Sequence, residues 1–277
     1  MSTGTPSPRV CASPTGPSTP PNTRSPSSSG WICASRRPRT PDRRGLTLAP
    51  SLTRMTVAGR EEAVHAQALR GALQVRGRRV ATYAWGDDGP PVVFVHGWRG
   101  RAAQFAPLVP TLLESGHRVL AFDAPAHGAS SGGPVDIRDW LATLAELQRI
   151  HGRFRALVGH SFGGFSSVTA VRHGLEADAV VSIAGAGRPA AFLDEFSRML
   201  RLDEPTRAEL ERRFLRRVGE DPATLAERYD ALAHPLRAGV PLLVVHGDAD
   251  RQLPLADSRA LAAATPGSRL VVVPGAG

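Results

Sequence analysis

From about residue 70 the chain alternates short apolar runs with amphipathic stretches. Leu73-Gln74-Val75 and the run 80–85 flank Arg76-Gly77-Arg78-Arg79, a pattern that predicts a β-hairpin. Beyond it, residues 92–95, 119–122, 156–158, 179–183, 242–245 and 270–273 are short and apolar throughout, with no polar alternation. Such runs suit strands covered on both faces. Residues 103–115, 137–150 and 162–173 lie between them with apolar positions at helical spacing, Leu141, Leu144 and Leu147 marking one face of the second. The alternation predicts an α/β fold, a mostly parallel sheet covered by helices.

Residues 186–239 interrupt this rhythm and are too long for one crossover. Three amphipathic pieces lie within them, marked by Phe192, Phe196 and Met199, by Leu210, Phe214 and Val218, and by Leu225, Tyr229 and Leu232. Asp203-Glu204-Pro205 and Asp221-Pro222 open the second and third, and acid followed by proline signals a helix start. The expectation is a helical lid over the carboxyl edge of the sheet, where open α/β sheets bind ligands. Phe192, Phe196, Met199, Phe214 and Tyr229 are candidate substrate-lining residues, although residues of this kind are more often plain lid core.

Composition narrows the classes. The chain has 277 residues, 42% of them hydrophobic, and no apolar run approaches the ~18–20 residues of a membrane span. Its net charge of +9 suggests nucleic acid until it is located. Residues 1–60 hold nine Arg and one acid, Asp42, which leaves 25 basic and 24 acidic groups in the rest, a net +1. The near-neutral body implies no nucleic-acid partner. Residues 1–54 are rich in Pro, Ser, Thr and Arg without apolar periodicity, so they are expected to be disordered, outside a folded domain at 70–277. The two cysteines, Cys11 and Cys33, lie in that segment, leaving no disulfide or Cys-based metal framework in the body. No secretory address is recognisable, and a cytoplasmic location is expected.

Candidate chemistry gathers at strand ends. Gly159-His160-Ser161-Phe162-Gly163-Gly164 follows an apolar strand directly and opens a helix, the setting of a G-x-S-x-G nucleophile turn. A second match, Gly128-Ala129-Ser130-Ser131-Gly132, sits in a loop, so Ser161 and not Ser130 is the expected nucleophile. His96-Gly97-Trp98 ends another strand, where glycine lets the backbone expose an amide. The backbone N–H groups of Trp98 and Phe162 are the expected oxyanion donors. His96 is expected to hold the turn, and Asp123 with His127 to shape a loop without binding metal. His246-Gly247-Asp248-Ala249-Asp250 ends a late strand on acids; Asp250 is the candidate carboxylate for orienting a base, and Asp248 a turn former.

These segments, in this order, resemble the α/β-hydrolase superfamily, esterase-like branch, over roughly residues 70–277. The resemblance implies a serine hydrolase with Ser161 as nucleophile, Asp250 as triad acid, and Trp98 and Phe162 as oxyanion donors. It implies no cofactor or metal, and a small apolar ester as substrate, less readily an amide or a C–C bond. In that family the catalytic histidine follows the last strand after a short glycine-containing turn. Val271-Val272-Val273-Pro274-Gly275-Ala276-Gly277 matches the lead-in, so the base and a final helix are expected to be missing, and the chain as given to be inactive. A non-catalytic binding protein and a perhydrolase or lyase on the same scaffold are the alternatives; oligomeric state is left open.

Overall fold

A computed structural model describes residues 59–277. The segment 1–54, with the expectation of disorder attached to it, lies outside the described residues.

The eight strands lie side by side as β1 (Leu69–Val75), β2 (Arg78–Trp85), β4 (Val119–Phe122), β3 (Val92–Val95), β5 (Ala156–His160), β6 (Val180–Ile183), β7 (Leu242–Gly247) and β8 (Arg269–Val273). β1 and β2 form the expected antiparallel hairpin, β2 pairs antiparallel with β4, and every later pairing is parallel. The hairpin register sets Val75 opposite Arg78, leaving Arg76 and Gly77 as a two-residue turn with φ of 49° and 72°. Two positive φ values mark the turn type whose twist matches that of the strands.

Every residue of β3 and β4 is buried. Successive side chains point to opposite faces of a strand, so each run feeds two cores. Val93, Val95, Leu120 and Phe122 meet Trp140, Leu144 and Leu147 of α3 (Ile137–His151) and Val168 and Val171 of α4 (Phe162–Arg172). Phe94, Val119 and Ala121 face the other way, toward Tyr83, Trp85, Phe105 and Val109. Burying each large side chain of α3 stabilises the fold by roughly 1.5–3 kcal/mol. α3 starts where the Asp136 carboxylate accepts from Arg138 N at 3.0 Å while Asp139 accepts from Asp136 N at 3.0 Å.

Between β6 and β7 stand three helices, α5 (Pro189–Met199), α6 (Glu204–Val218) and α7 (Pro222–Tyr229). Asp203 caps α6 by accepting from Thr206 N at 3.0 Å, and Asp221 caps α7 by accepting from Ala223 N at 2.9 Å. Acid-proline therefore opens both helices, as the sequence predicts. No helix of the described residues is long and apolar enough to cross a membrane.

Three elements differ from the sequence reading. The predicted helix 103–115 is a 3₁₀ helix over Ala102–Leu108 followed by the short α2 (Val109–Glu114). Pro107 and Pro110 remove N–H donors that one continuous α-helix needs. α8 (Leu255–Ala264), the crossover joining β7 to β8, was hidden by its alanine-rich, weakly patterned sequence. The packed structure also begins before residue 70, with α1 (Gly59–Ala66). His65, read from sequence as preceding the fold, is 5% exposed with its ring 4.4 Å from that of Tyr83. Trp85 Nε1 donates to Val64 O at 2.9 Å and secures the same helix.

The tightest packing lies where α4 meets β3. A Cβ on Gly163 would stand 1.9 Å from Val95 O, whereas one on Gly133 would meet nothing within 4 Å. Gly163→Ala is expected to cost on the order of 2–4 kcal/mol and Gly133→Ala within about 0.5 kcal/mol, as read by denaturant unfolding.

Candidate active site

Ser161 occupies the single residue between β5 and α4, with φ 53° and ψ −121°. A non-glycine residue held at positive φ is strained and persists only where its surroundings over-determine it. Here they do. Ser161 N donates to Ile183 O at 2.8 Å, and Ser161 O accepts from Gly164 N at 2.9 Å and Phe165 N at 3.2 Å. A Cβ on Gly159 would lie 2.3 Å from Gly163 O, so the two glycines flanking the serine are a steric requirement of the turn. The Ser161 side chain is partly exposed, and its hydroxyl has no hydrogen-bond partner among the described residues.

The end of β3 presses on this turn. A Cβ on Gly97 would stand 2.9 Å from Ser161 Cβ and 3.2 Å from Phe162 N. Phe162 heads α4, so its N–H has no partner within the helix. The Trp98 N–H is also without a partner among the described residues, and the Trp98 ring lies 6.3 Å from that of Phe162. The two amides expected as oxyanion donors thus belong to segments in contact.

Beneath the Trp98 loop, polar groups are saturated. Asp123, fully buried, accepts from Ala102 N at 2.8 Å, from Tyr83 Oη at 2.9 Å and from Ala129 N at 2.8 Å. His96 Nδ1 donates to Gly97 O at 2.8 Å, leaving Nε2 to accept from Ala124 N at 2.8 Å. His127 Nδ1 donates to Pro125 O at 2.9 Å and Nε2 accepts from Arg99 N at 3.2 Å. Each ring accepts at Nε2, which only the neutral Nδ1–H tautomer allows. Burial agrees: it holds His96 below its ordinary value and pushes His127 down to about 3. His96, Asp123 and His127 are therefore loop architecture. Ser130 is too, since it is buried and its Oγ accepts from Ala81 N at 2.8 Å. Trp140, fully buried, donates from Nε1 to His96 O at 3.0 Å, stacks 6.2 Å from Trp98 and meets Phe162 edge-on at 5.0 Å. Sequence reasoning missed this support; its signal was the spacing of Ile137, Trp140, Leu144 and Leu147 on one face.

Asp250 stands just beyond β7. Its Oδ1 accepts from Gln252 N at 2.7 Å and Leu253 N at 3.2 Å, and its Oδ2 lies 3.5 Å from His246 Nε2. His246, 1% exposed, also meets Ser258 Oγ at 2.7 Å and Leu253 O at 3.1 Å. The sequence reading passed over His246; its position four residues before Asp250 was the available signal. Asp248 accepts from Gly275 N at 2.7 Å and so holds the turn after β8, as a turn former should. That turn brings the chain back: a Cβ on Gly277 would lie 2.5 Å from Ala249 O and 3.2 Å from Asp250 N.

Of the five candidate lining residues, Phe192 alone touches the Ser161 turn through a ring contact, 5.2 Å from Phe162. Tyr229 is buried with Ile137 and Phe165. Met199 is 56% exposed, and Phe196 and Phe214 are half-buried.

The buried imidazoles carry a pH signature. In the unfolded chain a histidine gains its proton near pH ~6.5. Folded His127 does so only at about 3, so its contribution is complete above ~6.5 and is lost as pH falls toward 3. His96 acts in the same sense. Each adds up to about 1.4 kcal/mol per pH unit to the loss of stability on acidification. His127→Asn should reduce that slope between pH ~6 and ~4 by about one proton, measured by denaturant unfolding across pH.

Comparison with known proteins bears on the family and the fold. The profile of a family described as "Alpha/beta hydrolase family" matches residues 92–277. A human "Serine hydrolase-like protein" is 36% identical over 98 residues, covering 33% of this chain and 48% of that protein, so the chain spans about half its length. "Monoacylglycerol lipase" of Mycolicibacterium smegmatis is 28% identical over 227 residues, 68% of this chain and 80% of that one. A thermophilic esterase from Thermogutta terrifontis shares the fold at a TM-score of 0.56 and 21% identity, covering 76% of this chain and 91% of the esterase. With its parallel sheet, its serine turn and a family profile spanning most of the described residues, the chain belongs to the alpha/beta hydrolase family.

Proposed function

We propose that this chain is the body of a serine hydrolase that cleaves an ester of a small apolar substrate, with an amide or C–C bond as lesser alternatives. The observation that carries the reading is the strained Ser161, φ 53° and ψ −121°, its hydroxyl unpaired at the head of α4. In this reading Ser161 Oγ attacks the carbonyl carbon. The negative charge that develops on the carbonyl oxygen is met by the N–H groups of Trp98 and Phe162, donors fixed before the reaction begins. Asp250 orients the base and stabilises its cation. The base this reading requires is a histidine, and the end of the β8 turn lies beside Asp250, a Cβ on Gly277 standing 3.2 Å from Asp250 N. The helices between β6 and β7 serve as the lid, with Phe192 as the wall nearest the nucleophile. No metal or cofactor has a role.

One observation favours a non-catalytic binding protein: among the described residues no histidine hydrogen-bonds Ser161. A perhydrolase or lyase would use the same groups. A fluorophosphonate probe decides the nucleophile, using the chain with a histidine-bearing helical tail added after Gly277. Labelling should persist in Ser130→Ala and vanish in Ser161→Ala; labelling that survives Ser161→Ala overturns the assignment. Asp250→Asn should slow ester hydrolysis by about 10⁴-fold, while Asp248→Asn should cost far less. The chain ending at Gly277 should turn over a nitrophenyl ester at least about 10³-fold more slowly than the tailed form, since the oxyanion donors and binding alone remain. Equal rates would show that a base already exists within residues 1–277.

A further inference from the structure

We infer that Glu195 is a specificity-determining residue of this site, a carboxylate placed to accept a hydrogen bond from an ammonium or hydroxyl group that the substrate carries beside its ester. The inference rests on the proposed hydrolase reading and adds a polar requirement to an otherwise apolar substrate.

Ala191, Phe192, Glu195 and Arg198 lie along one face of α5. Positions three and four apart share one face of a helix. Ala191, 2% exposed, packs with Ala186 and Leu253. Phe192 lays its ring 5.2 Å from that of Phe162, the residue after the nucleophile. Arg198 Nη1 donates to Gln252 O at 3.0 Å, and Gln252 N in turn donates to Asp250 Oδ1 at 2.7 Å. Glu195 stands four residues after Ala191 and three from both Phe192 and Arg198. It is therefore central to the face whose one side rests on the serine turn and whose other side is tied to the acid loop.

An amphipathic helix ordinarily places an apolar residue there, because a carboxylate loses water on burial and needs compensation. Glu195 is half-buried and makes no hydrogen bond or ion pair with the described residues. Its neighbour Asp194, by contrast, pairs with Arg207 at 2.5 Å, so a cationic partner is available on the outer side of the same helix. Burial, offset in part by Arg198 and reinforced by the charge of Asp250, holds the Glu195 carboxyl above its ordinary value. A substrate ammonium or hydroxyl would supply the missing partner. An anionic substituent would meet both Glu195 and Asp250 and be repelled.

The test is binding to the 277-residue chain at about pH 8, above the ordinary range of carboxyl groups. Hexylammonium, 1-hexanol and hexanoate are titrated in turn, read by tryptophan fluorescence from the Trp98 loop. Hexylammonium should bind about tenfold more tightly than hexanol, and hexanoate more weakly than either. Glu195→Gln should bring the hexylammonium-to-hexanol ratio close to one, while Asp250→Asn retains most of it. An unchanged ratio in Glu195→Gln, or a ratio lost with Asp250 alone, overturns the assignment. Should Glu195→Gln fail to fold, the order in the wild type decides: hexanoate binding as tightly as hexylammonium rejects the proposal. Fluorophosphonate labelling of Ser161 is scored separately, on the chain carrying the histidine-bearing tail. Ammonium preference without labelling would sink the hydrolase reading and leave Glu195 as a recognition group; labelling without preference would do the reverse.

Discussion

The approach of the first turn of α4 to the end of β3 is the constraint on which the rest of the site depends. Backbone lies on backbone there: a side chain on Gly163 would reach within 1.9 Å of Val95 O, and one on Gly97 within 2.9 Å of Ser161 Cβ. Only glycine at these points lets the serine turn and the Trp98 loop share one surface. The positive φ of Ser161 follows, because the chain must reverse between a buried strand and a buried helix in a single residue. Its strain is held by the hydrogen bonds to Ile183 and from Gly164 and Phe165, each supplied by an element the core already positions.

The Trp98 loop is held from below by buried polar side chains. Asp123, His96 and His127 satisfy backbone amides of Ala102, Ala124 and Arg99, and Trp140 satisfies the carbonyl of His96. Buried amides left without acceptors would each cost about 1–3 kcal/mol, so these side chains hold the irregular backbone beside the nucleophile in place. The cost of the arrangement appears in acid, where neutral imidazoles resist the proton that the unfolded chain takes up.

At the opposite side of the site, one loop carries the acid and meets two other segments. Asp250 is bound by the amides that follow it, Gln252 is gripped by Arg198 of α5, and Gly277 returns against Asp250. The inserted helices and the end of β8 thus converge on the residue that orients the base in the proposed mechanism. A change in α5 has a physical route to the acid through Gln252, which accepts from Arg198 and donates to Asp250.

Local pattern carried much of this architecture. Short apolar runs with no alternation are incompatible with exposure on either face, so the covered parallel sheet was legible, as were the acid-proline starts of α6 and α7 and the glycines around Ser161. Each of these shows as a pattern within a few consecutive residues of chain. Where the pattern was weak or broken, tertiary contact decided instead. Pro107 and Pro110 divided one expected helix, and alanine-rich α8 and polar α1 gained definition from the strands and aromatic rings they cover. Sequence also nominated Ser161, Asp250, Trp98 and Phe162 but was silent on their separation. Trp140 beneath the loop and His246 beside Asp250 and Ser258 involve residues that only the assembled fold brings together. Long-range packing settles such contacts, because burial of one face is a property of the assembled core and not of the segment that provides it.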